Sequence, residues 1–212
     1  MTKKHLVITA LFLSALMVIL SAPAPAAPEV WARIMEKQGT VTIDGLRAYK
    51  GSTARIDSEI RTGRDARAII KLRDGSVIQL RQNSAFVVRK YEEASFLDLV
   101  AGRMLAIFTE GEHQVNTTTT VAGVRGTGLY FMADDPERTY ICLCYGVVDL
   151  TSTKDESVKR TLTADHHAAV RVDDKDGSAT ITKAGMEDHT DEEVERLKAM
   201  LDDPFQWWKW WK

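Results

Sequence analysis

The fold class predicted for this chain is all-β: short strands arranged as a β-solenoid-like or twisted β-sandwich domain, followed by a C-terminal α-helix. Three observations predict it. From Val30 to about Ile181 the apolar residues alternate and do not recur at helical spacing. Turn signals break this stretch at short intervals: Asp44-Gly45, Thr62-Gly63, Asp74-Gly75, Ala101-Gly102, Gly126-Thr127-Gly128 and Asp134-Asp135-Pro136. Near the end, Val194, Leu197, Met200 and Leu201 recur at helical spacing behind a capping Thr190 or Asp191 and acidic Glu192 and Glu193.

The strand candidates are Thr40–Ile43, Ala66–Leu72, Ser76–Leu80 and Ala85–Val88, all rich in β-branched residues. One hairpin fixes its own register. A three-residue loop at Arg73-Asp74-Gly75 sets Ile70 opposite Ile78 and Ala68 opposite Leu80. A two-residue Asp-Gly turn would instead set Ile70 against Gln79 and mismatch the faces. The helix is expected to stop before Pro204.

The chain divides into a signal peptide (1–26), a β domain (27–185) and a helix with a tryptophan-rich tail (186–212). Lys3 and Lys4 precede Leu6–Leu20, which carry no charge, and Ala24-Pro25-Ala26 offers a small-residue cleavage site before Ala27. An uncleaved anchor is the rival reading, although the apolar run is shorter than the roughly 20 residues that span a bilayer. Export implies an oxidising compartment. Of 212 residues 44% are hydrophobic and 27% charged, which excludes wholesale disorder. The net charge of −2 leaves no basic excess to drive nucleic-acid binding.

Within this pattern a set of short motifs stands in one order: Gly39-Thr40-Val41; Ile60-Arg61-Thr62-Gly63; Ala66-Arg67-Ala68 running into Leu72-Arg73-Asp74-Gly75-Ser76; Leu80 with Ser84; Leu99, Gly102 and Met104; Val124-Arg125-Gly126-Thr127-Gly128; and Tyr145-Gly146-Val147-Val148. From about Trp31 to Leu150 the chain thereby resembles the FecR domain family, the periplasmic parts of cell-surface signalling regulators and related stand-alone envelope proteins. The resemblance implies a β domain without catalytic residues. Arg125-Gly126-Thr127 is read as a structural turn. Family members with a cytoplasmic anti-sigma segment carry it before a membrane span. Here five residues precede the apolar stretch, so direct sigma-factor binding is not expected.

Cys142 and Cys144 lie in a strand-like run, Tyr140–Tyr145, and so share a face, with Cα atoms about 6.5–7 Å apart. That is at or beyond the limit for a relaxed disulfide. Burial as small apolar residues, a disulfide or redox role, and a metal site all remain open. The metal candidates are Cys142, Cys144, His166 and His189, with His167 and Met186 near in sequence. Two cysteines with two histidines suit Zn²⁺, and thiolates with methionine suit Cu(I). In a regular strand His166 and His167 point to opposite faces, so both cannot serve one site. His113 reads as a surface or edge residue, His189 as a cap, and Asp173-Asp174 and Asp202-Asp203 as solvated turns. A nucleophile elbow of the G-x-S-x-G type is missing from the sequence, and no enzyme activity is expected.

Trp207, Trp208, Trp210 and Trp211 close the chain beside Lys209 and Lys212. They suit three roles: covering an open sheet edge, resting at a membrane interface, or docking in a partner's groove. The function expected is a periplasmic, non-enzymatic binding or sensory adaptor whose partner is an envelope protein or a membrane surface, with no nucleic acid. The alternatives are a structural envelope-binding protein and a metal- or redox-responsive protein using Cys142 and Cys144.

Overall fold

The computed structural model describes residues 29–91 and 94–201. The signal segment, Asp202-Asp203 and the four tail tryptophans lie outside them. The described residues form sixteen strands and one helix. The first eight strands are β1 (Val30–Gln38), β2 (Val41–Ile43), β3 (Leu46–Arg47), β4 (Thr53–Arg55), β5 (Glu59–Thr62), β6 (Arg67–Leu72), β7 (Val77–Leu80) and β8 (Ala85–Tyr91). Then come β9 (Ala94–Ile107), β10 (Glu112–Asn116), β11 (Thr120–Arg125), β12 (Gly128–Asp135), β13 (Arg138–Ser152), β14 (Lys159–Ala164), β15 (Ala168–Lys175) and β16 (Ser178–Ala184). The helix, α1, is Asp191–Leu201. No helix among the described residues is long and apolar enough to cross a membrane.

The strands build two layers. One runs β4-β1-β6-β7-β9-β12-β13-β15-β16, and the other β3-β2-β5-β8-β9-β10-β11-β13-β14. Every ladder is antiparallel except β9 with β10. The architecture is therefore a twisted, two-layer all-β body and not a stack of parallel coils. Its main core contains Ile70, Ile78, Phe131 and Ile141 from the first layer and Ile60, Phe86, Leu97 and Leu150 from the second.

β9 and β13 belong to both layers. Up to Ala101, β9 pairs with β8; from Gly102 on it pairs with β12. Up to Tyr145, β13 pairs with β12; from Gly146 on it pairs with β14. At both crossings the glycine has positive φ, +91° at Gly102 and +94° at Gly146. Ala101-Gly102 is thus not the chain reversal that its sequence suggests. It is a kink within one long strand, accompanied by a register shift opposite Ala85 and Phe86.

The predicted hairpin register is the one observed: Ile70 pairs with Ile78 and Ala68 with Leu80. The Leu72 N–H donates to Ser76 O at 2.8 Å, and Gly75 at φ +96° closes the three-residue loop. Gly126, at φ +56°, lies in the connection from β11 to β12, as read for the Arg125-Gly126-Thr127 turn.

The central strands of the first layer, β6, β7, β12 and the first half of β13, are buried on both faces. Alternate residues of its strands enter a second core: Ile69, Val77, Leu105, Tyr130, Tyr140, Cys142 and Cys144. Val194 and Leu197 of α1 cover that face. Two expectations fail here. His113 is buried on β10, an inner strand between β9 and β11, with its ring 5.1 Å from that of Phe108. Asp173 and Asp174 are not a solvated turn but part of β15. Asp174 is buried, and its N–H donates to Glu137 O at 2.8 Å.

A methyl group on Gly102 would stand 2.5 Å from Ser84 Cα and 2.7 Å from Asn83 O, both backbone atoms. Gly177 has a similar φ, +74°, but open space around it. Gly102→Ala is expected to destabilise the protein by about 3 kcal/mol or more, and Gly177→Ala by about 1 kcal/mol. Urea denaturation checks this; equal losses in the two variants would mean that the layer crossing tolerates a side chain.

Candidate metal centre

Cys142 and Cys144 point outward from β13 toward α1 because residues two apart share a strand face. The segment leading into α1 covers them, leaving 0% and 4% of their surface exposed. Both are free thiols.

Their partners come from two turns. β14 ends at Ala164 and β15 begins at Ala168, so His166 and His167 sit in a turn and not in a strand. His167 takes φ +43°, and its N–H donates to Cys144 O at 3.1 Å. That bond pulls the residue against β13 and turns its ring inward, with 8% of the side chain exposed against 72% for His166. Cys142 Sγ lies 3.4 Å from His167 Nδ1. The second turn precedes α1. There Asp188 takes φ +57° and is held by Tyr130 and Arg103, the latter at 2.9 Å. Next to it, His189 is buried and stacks on the Tyr130 ring at 4.6 Å. Cys144 Sγ lies 3.5 Å from His189 Nε2.

The helix cap is Thr190, not His189. Glu193 N–H donates to Thr190 Oγ1, and Thr190 N–H donates to a Glu193 carboxylate oxygen, forming a reciprocal capping box. His189 is thereby left to face Cys144.

Each inward ring is anchored from behind. His167 Nε2–H donates to Asp191 Oδ1 at 2.7 Å, and His189 Nδ1–H donates to Glu187 O at 2.7 Å. The nitrogens facing the sulfurs are therefore Nδ1 of His167 and Nε2 of His189. Sγ of Cys142, Sγ of Cys144 and these two nitrogens all lie within 4.8 Å of one another.

His166 does not join the four. It is exposed and contacts Asp191 Oδ2 at 3.2 Å, on the outer side of His167. The strand-face argument for separating the two histidines does not apply in this turn, where His167 is the one that faces the sulfurs. Met186 is exposed. His167 and Asp191 are the residues that sequence reasoning misplaced or missed. The available signal was Asp165-His166-His167 breaking the alternation just before β15.

Electrostatics separates the two thiols. A hydrogen bond from Cys144 is the main influence lowering Cys142, and it outweighs burial; the two histidines add to it. Cys144 is pushed up by the same hydrogen bond and by burial. Burial lowers His167, but its bonds to Asp191 and Cys142 prevail and raise it. A thiol beside two imidazoles has the chemistry of a nucleophile or of a metal ligand. Cys142 at 0% exposure gives a substrate no approach, whereas a small cation needs only the ligand atoms.

Residues 58–149 match the family model described as FecR protein. Cys142 and Cys144 fall inside this stretch, and His167, His189 and Asp191 beyond it. Two crystal structures of a candidate anti-sigma factor from Parabacteroides distasonis ATCC 8503 share the fold, with TM-scores of 0.51 and 0.50. Both are 14% identical to this chain, and each match covers 59% of either chain. No curated protein matches.

Asp188 fastens the segment that carries His189. Burial acts to raise its carboxyl, but the hydrogen bonds from Tyr130 and Arg103 and the charges of Arg81 and Arg103 hold it below its ordinary value. A lowered carboxyl contributes stability that is present above the unfolded value near 4 and lost as pH falls through the folded one. Asp188→Asn is expected to cost about 2 kcal/mol at neutral pH and to flatten the loss of stability below about pH 4. Denaturant midpoints measured from pH 7 to pH 2 test this, and parallel curves for the two proteins would refute it.

Proposed function

We propose, on the premise that this chain carries a FecR domain, that it is a binding and sensory adaptor of envelope signalling that makes and breaks no covalent bonds. The family match over residues 58–149 is the observation that carries this reading. The body supports it physically. The central strands of its first layer are packed on both faces, a scaffold suited to presenting a surface. The buried Cys142 and Cys144 are out of reach of a substrate.

The location proposed is the periplasm, reached through the leader read in residues 1–26. The partner proposed is an envelope protein or a membrane surface, with Trp207, Trp208, Trp210 and Trp211 as the proposed contact residues. A second reading, a metal-responsive protein, is favoured by the Cys–His cluster.

Cross-linking of the tagged full-length protein in cells, followed by identification of its envelope partners, distinguishes these roles. An adaptor is expected to retain an inner-membrane kinase, cyclase or receptor. Recovery of wall or outer-membrane material alone would replace the adaptor with a structural role, and cytosolic fractionation would overturn both.

A further inference from the structure

We propose that Cys142, Cys144, His167 and His189 form a tetrahedral zinc site that pins the chain around α1 to the β body, a property that does not depend on the FecR reading above. A zinc ion with Zn–S of about 2.3 Å and Zn–N of about 2.0–2.1 Å sets sulfur-to-nitrogen edges of about 3.5 Å in a tetrahedron. The two such edges seen here, Cys142–His167 and Cys144–His189, are 3.4 and 3.5 Å. All four ligand atoms lie within 4.8 Å of one another, so one ion reaches every one of them with small side-chain adjustments.

The surroundings are those of a metal ligand set. A ligating histidine commonly donates its outer N–H to a carboxylate or a backbone carbonyl, which fixes both the tautomer and the ring plane. Asp191 does this for His167, and the Glu187 carbonyl does it for His189. Two thiols serving only as core residues would face apolar neighbours. Here both lie in the second core, yet each also has an imidazole nitrogen against its sulfur. Four protein ligands also close the coordination sphere, which marks a structural site and not a catalytic one. Two thiolates with two imidazoles favour zinc; a copper(I) site would call on soft sulfur ligands, and Met186 is exposed.

The topology gives the site its consequence. The cysteines stand on β13, His167 before β15 and His189 before α1. A single ion therefore joins the matched family stretch to the residues that follow it. α1 has eleven residues, too few for an isolated helix to be stable. Its docking relies on Val194 and Leu197, on the Arg81–Glu193 pair, on the bond from Lys71 to the Met200 carbonyl and on whatever holds His189.

The experiment uses the full-length protein purified under reducing, oxygen-free conditions. Co²⁺ is titrated in first as a spectroscopic probe, and Zn²⁺ second. About one Co²⁺ per chain is expected, with thiolate-to-metal charge transfer, the intense visible bands of tetrahedral cobalt, and displacement by Zn²⁺. His167→Gln should weaken Zn²⁺ binding about 100-fold, Asp191→Asn about 10- to 100-fold, and His166→Gln less than about 3-fold. Cys142→Ser/Cys144→Ser should abolish the charge-transfer band.

Should a variant fail to fold, the wild-type cobalt spectrum still decides. An octahedral spectrum, or none, overturns the proposal. So do equal effects of His166→Gln and His167→Gln, copper in place of zinc in protein isolated from cells, or a Cys142–Cys144 disulfide in that protein.

Discussion

Two long strands that change layers without interruption are the constraint on which the rest of the structure depends. β9 and β13 can pass from one sheet to the other only by bending sharply while keeping their hydrogen bonds on both sides of the bend. An L-residue with a side chain resists the left-handed backbone that each bend requires, and at Gly102 and Gly146 the space beside the α-carbon is already filled, by Ser84 and Thr127. The neighbouring chain thus packs directly on the bends. Once those crossings are set, the ladders on either side follow in register, and the main core forms between the layers.

The same geometry leads to the candidate site. Before its crossing at Gly146, β13 is one of the central strands buried on both faces, so residues alternating with Ile141 and Leu143 look outward to α1. Cys142 and Cys144 occupy those positions. The covering segment is fastened by polar contacts as well as apolar ones. Lys71, buried on β6, donates its Nζ to the Met200 carbonyl near the end of α1, where the helix dipole favours a cation. Arg81 pairs with Glu193 at 2.7 Å in partial burial. The exposed Arg196–Glu36 pair contributes little beside these, since solvent screens it.

The legible part of the site was the pair of thiols on one face of one strand. Alternation alone places Cys142 with Cys144, and burial of that strand explains why both are hidden. Choosing between His166 and His167 was not legible by the same rule, because it assumes an extended backbone. The chain at His167 instead turns into the left-handed region, and the bond from its N–H to Cys144 O determines which ring points inward. Asp191 is similar. Its position predicts a favourable charge at a helix start, and only the meeting of α1 with the β14–β15 turn makes it an anchor for His167.

The all-β class, the β6–β7 register and the amphipathic helix were all readable from the residues alone, since each follows from side-chain period and the conformational limits of nearby residues. The chain's ordered motifs also carried the resemblance to the family whose model matches residues 58–149. Folding in three dimensions alone reveals where the layers cross, that His113 and Asp174 are buried, and that two distant turns deliver His167 and His189 to the same pair of sulfurs. Those outcomes depend on contacts between segments far apart in the chain. Local periodicity carries no information about which remote backbone will close over a given face.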